Sequence, residues 1–131
     1  MKKQPLLFYL FIPALFFTSC RFTIEPVDYI GTYKGTYSDS NLPQIPNKGD
    51  GILQIIDVGN HQVNLIFTIP GDTSLFFYNW PVKRESAGLA GSAAYMYDPG
   101  LGGAASVWKL DHSVNFDMHG AVSISFYGNP Q

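Results

Sequence analysis

"HQVNLIFTI", residues 61–69, alternates apolar and polar side chains almost without fault. His61, Val63, Leu65, Phe67 and Ile69 fall on one face, Gln62, Asn64 and Thr68 on the other, and Ile66 is the exception. Period-2 alternation is the pattern of a half-buried β-strand. Just upstream, "GILQIIDV" (51–58) reads as a second strand. Gly59-Asn60 between them supplies the residues that a two-residue hairpin turn favours. The centre of the chain is therefore an antiparallel ribbon.

The same texture extends in both directions. "YIGTYKGTYS" (29–38), "TSLFFYNW" (73–80), "ASVWKLD" (105–111), "SVNFDM" (113–118) and "AVSISFYG" (121–128) read as further strands, with a weaker one in "GSAAYMY" (91–97). The breaks, such as "NLPQIPNKGDG", "IPGD" and "DPGLGG", are rich in Pro and Gly. No segment shows helix-period apolar spacing. The nearest, "ESAGLAGSAAYM", contains Gly88 and Gly91, each unfavourable by about 1 kcal/mol against Ala in a helix. About eight short strands with regular turns predict an all-β protein, an antiparallel barrel of about eight strands, with a β-sandwich as the alternative. Eight strands enclose a space that side chains can fill or that holds one small ligand. Closure also removes the sheet edges.

The chain has 131 residues, enough for one domain with a real core. Its formal charge is −2, and its eight Lys and Arg are scattered. A nucleic-acid binder carries a basic stripe, so nucleic acid is not expected as a partner. The single cysteine, Cys20, cannot close an internal disulfide. That excludes the small disulfide-scaffold class and a cysteine-based zinc site.

Cys20 lies in a telling place. Met1, Lys2 and Lys3 form a charged start, followed by an apolar run from Leu6 to Phe17. The run is too short to span a bilayer, which takes roughly 20 residues, and it carries Pro13, so a secretory signal peptide is expected over 1–19. It ends Phe17-Thr18-Ser19-Cys20, which resembles the lipobox of bacterial lipoproteins. The resemblance implies cleavage before Cys20, an S-diacylglycerol group on its sulfur, and acylation, typically palmitoylation, of its new amine. Two or more acyl chains suffice for stable anchoring. A membrane is then the expected partner, through Cys20. Arg21 follows the cysteine, which favours the outer membrane of a Gram-negative cell without indicating the face. The expected organisation is signal peptide 1–19, lipidated tether 20–28 and a β-barrel domain 29–131. From Cys20 on there are six basic and ten acidic residues.

"GTYKGTY" (31–37), the central hairpin and the closing "VSISFYGN" (122–129) together resemble calycin-like, or lipocalin-like, domains of small Gram-negative lipoproteins. Tyr33 stands where many lipocalins place a tryptophan. The resemblance implies the same barrel and, in some members, an internal ligand.

The chemistry-bearing residues are sparse. His61, His112 and His119, with Asp111 and Asp117 near the last two, form no compact metal motif, so no metal and no cofactor are expected. There is no G-x-S-x-G elbow, and Glu25 and Glu85 are the only glutamates. Asp39, Asp50, Asp57, Asp72 and Asp98 fall where turns need them. No enzyme is expected. The aromatic residues are the best functional lead: Phe76, Tyr78 and Trp80 are expected on one face, and with Tyr33, Phe67, Trp108 and Phe126 they could line a pocket. Two functions follow. One is a monomeric envelope lipoprotein holding a small apolar or glycan ligand inside a barrel. The other is an interaction or structural protein of the outer membrane that uses strand faces and loops, with no ligand cavity.

Overall fold

The computed structural model describes residues 23–38, 46–86, 88, 91–98, 100, 102–119 and 123–131. The residues expected to form the signal segment and the lipobox, Cys20 among them, lie outside them. A four-residue helix, α1 (Pro26–Tyr29), leads into eight strands: β1 (Gly31–Ser38), β2 (Lys48–Gly59), β3 (Gln62–Ile69), β4 (Thr73–Glu85), β5 (Ala93–Tyr97), β6 (Ala104–Trp108), β7 (Val114–Met118) and β8 (Ile124–Pro130). Each strand pairs antiparallel with the next, and β8 pairs with β1, which closes the barrel. This is an up-and-down barrel consistent with a calycin-like fold.

Strand β3 carries out the sequence pattern. Val63, Leu65, Phe67 and Ile69 are buried and their neighbours are not. The β2–β3 turn, however, sits one residue later than expected. Asn60 and His61 are the two loop residues, with φ of 53° and 56°, and Gly59 pairs with Gln62. Two consecutive positive φ angles make the turn type that matches strand twist. Gly59, at φ 80°, instead serves a bulge at the end of β2, where its N–H donates to the Asp57 carboxylate at 3.0 Å. His61 is thereby exposed at the turn rather than aligned with Val63.

The core is a continuous set of rings. Phe67 lies 5.3 Å from Phe126, 5.6 Å from Phe116 and 6.0 Å from Tyr37, centroid to centroid. Phe116 continues to Phe77 at 5.5 Å and Trp80 at 6.1 Å. These are the spacings of favourable aromatic pairs. Inward-facing glycines leave them room. A Cβ on Gly51 would fall 2.8 Å from the Phe67 ring, one on Gly128 would fall 2.7 Å from Phe126, and one on Gly103 would collide with Met118 and Trp80.

The segment before β1 belongs to the domain. Ile24 is fully buried in the core cluster, and Tyr29 is buried beside it. The Tyr33 hydroxyl donates to the Tyr29 carbonyl at 2.7 Å, and burial pushes that hydroxyl up to about 12. Glu25 pairs with Arg84 at 3.2 Å and Asp28 with Lys109 at 2.9 Å. Of the segment expected as a tether over 20–28, the part from Ile24 onward packs against the barrel. Ile24→Ala should cost about 2–5 kcal/mol, the range for a buried aliphatic side chain cut to Ala. Urea unfolding would measure it, and a loss below about 0.5 kcal/mol would return residue 24 to the tether.

Asp28 makes this junction sensitive to acid. Burial raises its carboxyl pKa, but the Glu25 N–H (2.8 Å), the Lys109 ammonium and nearby His112 lower it further, so it sits below the ordinary aspartate value. A depressed folded-state pKa contributes stability that is present above the unfolded value and lost as pH falls through the folded one. Stability should therefore fall below about pH 4, the usual range for aspartate. Asp28→Asn should flatten that part of the profile in melts run across pH. An unchanged acid limb would show that the pair carries none of it.

Candidate functional site

The residues expected to line a pocket divide between the two faces of the barrel. Tyr33, Phe67, Trp80 and Phe126 are inside and buried. Phe67 and Phe126 touch directly, and Trp80 joins them through Phe116. Tyr33 packs in the same core cluster. Phe76 and Tyr78 are outside, 54% and 65% exposed, with parallel rings 6.5 Å apart. Trp108 is also on the outer face, half-buried, with its ring edge-on to Tyr95 at 6.3 Å.

The expectation that Phe76, Tyr78 and Trp80 share a face is therefore overturned. Strand β4 carries an extra residue opposite Asn64: Leu65 pairs with Phe77 while Val63 pairs with Trp80. Asn79 takes up the irregularity with φ 57°, and its N–H donates to the Asn64 side-chain oxygen at 2.9 Å. One inserted residue reverses the alternation beyond it. Phe77 and Trp80 both turn inward, 5.3 Å apart, and Phe76 and Tyr78 are left outside.

The outer surface has its own relief. Over β5, β6 and β7 two rows of side chains run across the strands: Tyr97, Ala104 and Asp117 in one, and Tyr95, Ser106 and Asn115 in the other. Ala104 and Ser106 are small, so a trough of about 180 Å³ opens between the tyrosines and the Asn115–Asp117 pair. Neighbouring strands stand about 4.8 Å apart, which sets the two walls roughly 10 Å from each other. A second, broader depression of about 630 Å³ over Lys34, Thr36, Asp50, Ile52 and Pro70 has no aromatic wall.

Comparison of the chain with protein-family models, with curated proteins and with solved structures finds no match. The reading of the surface rests on its own chemistry.

Among the described residues no three His, Cys, Asp or Glu side chains come together to hold a metal ion. His112 is engaged with the Asp28 carbonyl through Nδ1 at 3.1 Å, and His119 is exposed beyond β7. Among the described residues no helix is long and apolar enough to cross a membrane. The strands themselves put Leu53, Ile55, Leu65, Phe67 and Phe116 inside and Lys34, Gln54, Asn64, Asn115 and Asp117 on the other face. A membrane-spanning barrel is built the other way round, with an apolar outer band.

Sequence reasoning did not single out Tyr95, Tyr97 or Asn115 as a group. The alternation in "AAYMY" gives their face, but the row that joins them to Asn115 and Asp117 comes from the β5–β6–β7 register.

Proposed function

We propose that the chain is a lipid-anchored, non-enzymatic protein of a Gram-negative cell envelope that works by binding at its outer strand faces. The observation that carries this reading is the division of aromatic residues. Inside, Tyr37, Phe67, Phe77, Trp80, Phe116 and Phe126 are linked ring to ring, and Gly51, Gly103 and Gly128 have no room even for a methyl group. Phe76 and Tyr78 outside serve no core. This favours the reading without a ligand cavity over an apolar or glycan ligand held within the barrel.

The anchor rests on the lipobox-like Phe17-Thr18-Ser19-Cys20 after an apolar run of signal-peptide length. Ile24, which is buried, is four positions after Cys20, so full extension spans only about 14 Å. The end of the barrel that carries α1 and the 109–112 turn would be held close to the bilayer.

Cys20→Ser should yield a precursor that keeps residues 1–19 and takes up no labelled palmitate, whereas the parent under globomycin should keep residues 1–19 and carry the labelled diacylglyceryl group. Normal processing with membrane retention would refute the anchor. Native mass spectrometry of the protein taken from its own membranes tests the rest. The expected mass is that of the acylated chain alone. A stoichiometric apolar molecule released by Phe67→Ala would restore the ligand-in-barrel reading.

A further inference from the structure

The trough over β5–β7 carries more detail than an outer face needs. We infer that it binds a neutral or N-acetylated hexose ring of a glycan. The inference rests on the reading that the outer face is the working face, and it names the ligand class of that face.

Three features lead to it. The first is a fixed aromatic wall. Tyr95 and Tyr97 point outward because Ala94 and Met96 between and beside them fill the core. Trp108 holds the Tyr95 ring edge-on from the paired strand, whereas Tyr97 is 48% exposed. The face of an aromatic ring is electron-rich, and the aliphatic C–H face of a pyranose is its natural complement.

The second is the opposite wall. The Asn115 amide both donates and accepts, and the Asp117 carboxylate accepts from two neighbouring hydroxyls. Ser106 adds a hydroxyl on the floor. A sugar ring offers C–H bonds on its faces and hydroxyls at its rim, so one wall suits each. A wholly apolar ligand would strip water from Asp117 and return no hydrogen bond.

The third is what the trough lacks. No Lys or Arg lines it, and Asp117 repels anions, so phosphorylated and uronic-acid ligands are disfavoured. A peptide adding as an extra strand needs an open sheet edge, and the closed barrel offers none.

The test uses the chain purified from membranes in a zwitterionic, sugar-free detergent. Its amide resonances are followed by NMR during titration with tetra-N-acetylchitotetraose, cellotetraose, maltotetraose and, as the acidic probe, trigalacturonate. At least one neutral oligosaccharide should shift Tyr95, Tyr97, Ser106 and Asn115 along a saturable curve, and trigalacturonate should not. Tyr97→Ala should weaken that binding tenfold or more. Ala104→Leu, which fills the trough from an exposed position, should abolish it in a chain whose core resonances are unchanged. The inference fails if no neutral oligosaccharide shifts these residues, if trigalacturonate binds equally well, or if both variants bind as the parent does. Failure with intact Cys20 lipidation and a partner captured through Phe76 and Tyr78 would end this inference and leave the outer-face reading standing.

Discussion

Phe67→Ala is expected to cost about 3–5 kcal/mol, the range for a buried Phe cut to Ala. Phe67 is fully buried and contacts rings from three other strands, Tyr37 on β1, Phe116 on β7 and Phe126 on β8. Its loss leaves a cavity that several fixed aromatic rings cannot collapse to fill. Thr68, the next residue, faces outward and shares only an exposed hydrogen bond with Ser74 at 3.0 Å. Thr68→Ala should stay within about 0.5 kcal/mol, as surface changes do. Equal losses for the two variants in denaturant melts would mean that the inward register of β3 is wrong.

Gly35→Ala is expected to be the most damaging single methyl group in the barrel. Gly35 pairs with Gly51 on β2 and with Gly128 on β8, so three glycines stand in one row across the closing seam. A Cβ on Gly35 would overlap the carbonyl oxygen of Tyr127 and press on Gly128. Overpacking against side chains commonly costs about 1–3 kcal/mol, because rotamers can adjust. Here the obstacle is backbone, and relief requires β1 and β8 to part. A loss above about 4 kcal/mol, or failure to fold, is the expected result. The control is Thr36→Ala on the exposed neighbour, which should retain the circular dichroism spectrum and melt of the parent. A Gly35→Ala chain with parental stability would show that the two strands do not approach so closely.

The barrel was legible in the sequence because its evidence is local. Alternation in 61–69 and glycine- and proline-rich breaks at regular intervals announce strands, and strand number and length leave few ways to bury their apolar faces. The features that escaped are those set by tertiary partners. "FFYNW" alternates in text as though Trp80 follows Tyr78, and only the pairing of β4 with β3 inserts the irregularity at Asn79. An Asn tolerates positive φ, but many asparagines never adopt it. Ile24 looked like tether because nothing next to it in the chain explains its burial; its neighbours in the core come from elsewhere. Likewise the trough depends on Ala104 and Ser106 being small exactly where two other strands place tyrosines and Asn115. A single strand cannot report what stands on the next one.

The seam between β1 and β8 also sets the order of events when the chain folds. Tyr33 on the first strand finds its partner, Pro130, on the last strand of the barrel. Until residues 124–130 are available, β1 lacks its partner on one side. Hairpins such as β2–β3 can form early because their partners are neighbours, but the final pairing must close almost the whole chain into a ring, the kind of long-range contact that slows folding. The folding chain is for that time an open sheet with unsatisfied N–H and C=O groups along β1 and Tyr37 uncovered. Such an edge pairs readily with other chains. A premature stop before Phe126 would make that interval permanent, so truncated products of this protein should be captured by chaperones or aggregate rather than persist as smaller barrels.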